Sequence, residues 1–140
     1  MERETIQSAH VLLVSAYKHF NARDVDSVLK NMHKDVDWPN GMEGGRINGH
    51  DAVREYWTRQ WSVLDPHVEP VSFADESDGR TAVQVHQTVR DLAGNVILDQ
   101  MVQHVYHIQN GLIQSMEIRD GPPELPPPGP VRLPLHPLLP

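Results

Sequence analysis

Residues 96–109 read VILDQMVQHVYHIQ and run straight into Asn110-Gly111. β-Branched and aromatic residues favour extended backbone, and Asn-Gly supplies the two positive φ values that a type I′ turn needs. The stretch is therefore read as a long strand whose partner, residues 112–120, folds back antiparallel through that turn. On its other side the spacing predicts pairing with residues 80–91 through Leu92-Ala93-Gly94. Everything upstream reads as cover for one face of this sheet.

In residues 5–20, Ile6, Ala9, Leu12, Leu13, Ala16, Tyr17 and Phe20 recur at helical spacing, which gives a helix one buried stripe. Asp24 is placed to cap a second, shorter helix with Val25, Val28, Leu29 and Met32 on its inner side. Residues 35–38 read as a short strand stopped by Pro39-Asn40-Gly41, and the glycine-rich residues 41–49 as a loop. A third helix follows, with Val53, Tyr56, Trp57, Gln60, Trp61 and Leu64 on one face and Pro66 beyond its end.

The loops Ser77-Asp78-Gly79 and Leu92-Ala93-Gly94 both end on glycine, the residue a three-residue hairpin loop wants in its left-handed third position. That register pairs Phe73 with Val83, Val71 with Val85, Val85 with Met101 and Gln87 with Asp99. The Asn110-Gly111 turn pairs Gln103 with Ile118, Val105 with Met116 and Met101 with Asp120. Side chains alternate along a strand, so one face collects Phe73, Val83, Val85, Val89, Met101, Val105, Met116 and Ile118, together with Gln87, Asp99, Gln103 and Asp120. This is taken as the face under the helices. The opposite face receives Val96, Leu98, Val102, His104, Tyr106 and Ile108, apolar enough to predict a homodimer through it.

The whole chain, at 140 residues with 39% apolar and 22% charged, suits one globular domain over residues 1–121. Nine of the twelve prolines fall in residues 122–140, which read as an extended tail with an apolar side. No apolar run is long enough to span a bilayer and no signal peptide is evident, so a cytoplasmic location and no membrane partner are expected. A net charge of −7 without a basic cluster argues against nucleic acid. With no cysteine, thiolate chemistry is excluded. The nine histidines form no metal-binding spacing, since His104 and His107 point to opposite sides of a strand, so neither a metal nor a cofactor is expected.

On the inner face, Asp120 lies diagonal to Asp99 and Gln103 in this register. Two carboxylates close together in an apolar cup raise at least one pKa, giving a group able to trade a proton near neutrality. Gln103 and Gln87 are placed to polarise a carbonyl. Trp38, Tyr56, Trp57 and Trp61 line a space for a flat ligand, with Tyr17 adding a hydroxyl and Val85, Met101, Met116 and Ile118 the floor. The same pattern also fits a plain packed core with both acids at a wet rim.

Asn21-Ala22-Arg23-Asp24, residues 36–41 (VDWPNG), residues 48–53 (NGHDAV) and the ends Asn110-Gly111-Leu112-Ile113 and Arg119-Asp120 resemble, in order and spacing, the SnoaL-like and ketosteroid-isomerase-like families of the NTF2-like superfamily. The resemblance covers residues 5–121. It implies an α+β cone in which three N-terminal helices pack on a strongly curved antiparallel sheet around a pocket. Its members include cyclases, isomerases, dehydratases, epoxide hydrolases and plain binders. The isomerase residues do not carry over, because the matching positions hold Ala16, Trp38 and Gln103. The Asp-Arg-Asp set of the epoxide hydrolases has no arginine here on the inner face. Asp120 does match the acid/base aspartate of SnoaL-like cyclases. The expectation is a cofactor-independent acid/base enzyme acting on a small apolar carbonyl compound; the alternative is a non-catalytic small-molecule binder or dimeric accessory protein.

Overall fold

A computed structural model describes residues 2–120, with side chains from 9 to 119. The proline-rich residues 122–140, and with them the expected domain boundary at 121, lie outside the described residues.

The helices are α1 (Glu2–Asn21), α2 (Val25–Leu29) and, after the first two strands, α3 (His50–Val63). The strands are β1 (Met32–Pro39), β2 (Arg46–Asn48), β3 (Asp65–Asp75), β4 (Thr81–Arg90), β5 (Val96–Gln109) and β6 (Leu112–Asp120). They form one sheet in the order β2-β1-β6-β5-β4-β3. All pairings are antiparallel except β1 with β6, which run parallel. The expected loop over residues 41–49 contains the short strand β2, and Met32, expected on α2, already begins β1.

Local chemistry explains the joints. Asp24 caps α2 by accepting from the backbone N–H of Ser27. Arg23, at a left-handed φ of 64°, bends the chain between α1 and α2. Its guanidinium donates to Asp65 and to the carbonyl of Pro66 and lies over the rings of Phe20 and Trp61, which ties the end of α1 to the start of β3. Asn21 does the same a residue earlier: its amide donates to the carbonyl of Val68 at 2.7 Å and its oxygen accepts from the Val68 N–H at 2.9 Å. β3 is an edge strand, so these bonds satisfy backbone groups that no further strand pairs.

Leu13, Ala16, Tyr17 and Phe20 of α1 and Val53, Tyr56 and Trp57 of α3 pack on Val36, Val83, Val85, Val102, Ile113 and Met116 of the sheet as one core. Each large side chain so buried contributes about 1.5–3 kcal/mol. A smaller cluster of Val89 and Leu98, with Met42, Leu64 and Ile118 against it, closes the other end.

The expected register is corrected in three places, each by one extra residue. The Asn110-Gly111 turn forms as expected, with φ of 55° and 77°, and Gln109 faces Leu112 and Ile108 faces Ile113. Beyond it His107 faces Ser115, so Gln114 is left unmatched. At the other end of β5, Arg90 faces Val96 but Val89 faces Leu98, leaving Ile97 unmatched. On β3, Val71 is passed over between Pro70 and Ser72, beside a proline that has no N–H for the ladder. Such bulges shift every later side chain by one. Because β5 meets one bulge against β4 and another against β6, those two strands keep their expected faces and β5 alone is inverted.

Val85 therefore pairs with Val102 and Gln103 with Arg119, not with Met101 and Ile118. Met101, Gln103 and Val105 leave the cup, and Leu98, Val102, His104 and Tyr106 enter it, all four buried. The apolar outer face that motivated a homodimer is thereby removed. Its place is taken by Ala82, Val105 and Gln103 beneath ion pairs of Arg80 with Glu117 and of Arg119 with Glu76.

Candidate active site

Between the helices and the concave sheet face lies a cavity lined by Ala16, Tyr17, Phe20, Val28, Met32, Trp38, Trp57, Val68, Tyr106 and Ile113. Atom-free space there amounts to about 300 Å³ when the part open to solvent is counted, and to about 20 Å³ when only positions open to the centre of a water molecule are counted. The second figure describes the cavity proper and is room for about one water. A ring-sized guest enters only as side chains swing aside.

The helical repeat of α1 and α3 and the parity of β5 set the lining. Trp57 meets Trp38 edge to face, with centroids 5.7 Å apart, and stacks on Trp61 at 5.9 Å. Phe20 sits against both Trp57 and Trp61. Tyr56 turns away from the cavity, and its hydroxyl accepts from the N–H of Gly41 in the loop over α3.

The polar centre is a buried relay from β5 to α1. The Tyr106 hydroxyl donates to the Tyr17 hydroxyl at 2.8 Å, and the Tyr17 oxygen lies 2.8 Å from His104 Nδ1. The Tyr17 hydroxyl thus bridges the Tyr106 hydroxyl and the imidazole. His104 is flanked in the ladder by Val83 and Ile118, neither of them charged. Burial without a charged partner lowers its pKa to about 3. The same burial holds both tyrosines above their ordinary range, Tyr17 further raised by its contact with Tyr106. The relay is thus neutral across the whole physiological range, able to give and accept hydrogen bonds but not to exchange a proton with solvent near pH 7.

Of the residues singled out from sequence, Tyr17, Trp38 and Trp57 meet at the cavity, and Trp61 packs behind Trp57. Tyr56, Val85, Gln87 and Met116 are buried, and Ile118 is packed against the core, all on the inner side yet off the cavity wall. Asp99, Gln103 and Met101 are displaced to the outer face by the inversion of β5. Asp99 there pairs with His86 at 2.6 Å, and Gln103 accepts from Arg119 at 3.4 Å. The backbone of Asp120 lies opposite Val102, while its side chain is outside those described. Asp99 and Gln103, expected beside Asp120 in the cup, therefore stand outside it.

His104 and Tyr106 were missed because they were placed on the outer face. The signal was present in β5: its even-numbered set from Val96 to Ile108 is the bulkier and more apolar of the two, and burial selects the bulkier set. Among the described residues no group of His, Asp or Glu is arranged to hold a metal, and no helix is long and apolar enough to cross a membrane.

Helices over a concave sheet, with an aromatic cup between them, define the NTF2-like class of small α+β domains. A family model described as the SnoaL-like domain matches residues 14–116, and the chain belongs to that family. Among solved structures it is similar to TerC, co-crystallized with polyporic acid, with 27% identity over 81% of this chain and 91% of that one and a TM-score of 0.70. It is similar also to an NTF2-like protein of unknown function from Burkholderia pseudomallei K96243, with 24% identity over 81% of this chain and 90% of that one, TM-score 0.70. A third is a protein from Xanthomonas campestris pv. campestris provisionally called a polyketide cyclase, with 18% identity over 80% of this chain and 89% of that one, TM-score 0.70. No curated protein matches the sequence.

Proposed function

We propose that this chain receives a small, flat, largely apolar molecule in the cup between α1, α3 and the sheet. The observation that carries the reading is the cavity itself, walled by Tyr17, Phe20, Trp38, Trp57 and Tyr106. Aromatic walls give a planar guest large contact area at little entropy cost. The co-crystallization of TerC with a small organic acid is in keeping with such a guest.

Binding, not proton abstraction, is what the described residues are suited to. His104 is too weak a base, and Tyr17 and Tyr106 too weak as acids, to move a proton near pH 7. A second reading, a cyclase-, isomerase- or dehydratase-type enzyme, rests on Asp120, whose backbone stands opposite the inward residue Val102. Trp38 and Trp57 make the test direct, because a guest in the cup alters their fluorescence. A panel of planar aromatic ketones and quinones titrated against wild type and Asp120→Asn separates the two readings. Quenching that saturates equally in both, with no turnover, is expected. Turnover by wild type that Asp120→Asn abolishes selects the enzyme. Fluorescence unchanged by every compound at its solubility limit refutes the cup as a binding site.

A further inference from the structure

Strand β6 stops opposite Val102, whereas β5 begins at Val96. Residues 96–101 of β5 therefore pair with β4 on one side and, among the described residues, with no strand on the other. An open strand edge presents a row of backbone donors and acceptors, which proteins ordinarily cover or blunt with charge. The charged side chain along this edge, Asp99, is taken up by His86. The rest is apolar: Val96 and Ile97 are exposed, as is Leu92 in the hairpin turn before them. Asp65 faces Arg90 and Arg90 faces Val96, which brings the end of α3, with exposed Val63 and partly buried Leu64, to the same end of the sheet. The other exposed valines, Val11 and Val14 on α1 and Val71 on β3, belong to the opposite edge, where α1 runs against β3.

We propose that this apolar end of the sheet is the docking site of the chain's own proline-rich segment, residues 122–140, laid over it as an extended strap. β6 reaches Asp120 running antiparallel to β5, headed toward Val96; carried on in step, Leu125 comes level with Ile97. From Val102 to Val96 is about 20 Å along a strand. Residues 121–140 span about 60 Å as polyproline, so the reach is ample and the loop to be closed is short. The composition suits the surface. Leu125, Val131, Leu133, Leu135, Leu138 and Leu139 supply apolar area, and acidic and basic residues are limited to Glu124 and Arg132. Nine prolines bring carbonyl acceptors to the open edge and no N–H of their own to strand against an apolar patch. They also have few backbone states to lose, so ordering this segment costs less than ordering a flexible one. A second copy would have to bring the same contacts from dilute solution, while the tethered segment meets the patch at an effective concentration on the order of millimolar.

Because the chain has no cysteine, Leu133→Cys puts a nitroxide at one place in the full-length protein. Its broadening of backbone amide resonances in ¹⁵N-labelled protein is compared with that in the same labelled chain carrying Leu125→Ser, Leu135→Ser and Leu138→Ser, changes that leave residues 2–120 intact. The expected result is broadening strongest at residues 92–98 and relieved by the serines. Without the label, amides of residues 96–101 should exchange with solvent about tenfold faster in the serine variant than in wild type. Broadening and exchange that the serines leave unchanged would mean that the tether alone holds the segment nearby, and the docking site would be overturned. Broadening strongest at Val11, Val14 or Val71 would overturn it in favour of the other edge. If mixing ¹⁵N-labelled chains with separate spin-labelled chains reproduces the pattern at residues 92–98, the occupant is a second copy and the proposal fails.

Discussion

His104 makes acid stability the sharpest test of the buried relay. In the folded protein its pKa is lowered to about 3, against about 6.5 for an exposed histidine. Between those values the unfolded chain binds a proton that the folded one refuses. Stability therefore falls as pH drops below 6.5, by about 1.4 kcal/mol per unit for this one group, and the loss levels off near pH 3. At pH 4.5, two units below the unfolded value, the loss is about 2.7 kcal/mol, a large part of the 5–15 kcal/mol that holds a typical domain together. The exposed carboxylates also titrate on this path, so the measurement is a difference. Urea unfolding followed by tryptophan fluorescence, from pH 7.5 to 4.5, is compared between wild type and His104→Gln, whose amide can donate to or accept from Tyr17 but carries no titrating ring. The wild-type free energy should drop about 2–3 kcal/mol more than the variant's. Parallel pH profiles would mean that the imidazole is protonated in the folded state, and the neutral relay would be wrong.

Gln87 leaves a buried amide N–H unpartnered, so Gln87→Met should stabilise the fold by about 1 kcal/mol in urea melts. An unchanged or lower midpoint would show that the amide is satisfied. Gly111→Ala meets open space but sits at φ 77°, so backbone strain alone should cost about 1–2 kcal/mol, read from the same melts. Deleting Gln114 turns Glu117 and Arg119 into the cup and should leave the chain unfolded by circular dichroism, whereas Gln114→Ala should melt near wild type. A folded deletion variant would refute the bulge as the device that sets β6 against β5.

Helix stripes, the Asp24 cap and the Asn110-Gly111 turn are local, decided by residues a few positions apart, and they are found where the pattern put them. The register also began correctly at both turns of β5. What changed it was Ile97 and Gln114, single residues of no distinctive type that bulge out of the ladder. A turn specifies the first pair of a ladder; which face is buried decides, through a bulge, whether that register is kept. For that reason the aromatic wall of Tyr17, Trp38 and Trp57 could be read from helical and strand patterns, while a register counted from the turns put His104 and Tyr106 on the wrong face, against the bulk of their own set in β5.

The parallel pairing of β1 with β6 joins Met32 to Ile113 and Asp37 to Ser115. It makes the middle of the sheet wait for the last of its strands to be synthesised. Until residues 112–120 clear the ribosome, β1 lacks its neighbour and the aromatic stripe of α3 has no finished surface to lie on. At 5–20 residues per second the stretch from α3 to β6 keeps that stripe uncovered for a few seconds or more. A nascent chain of this design gains from a chaperone's shelter over its first half, and truncation within β6 should yield aggregates, not a smaller domain.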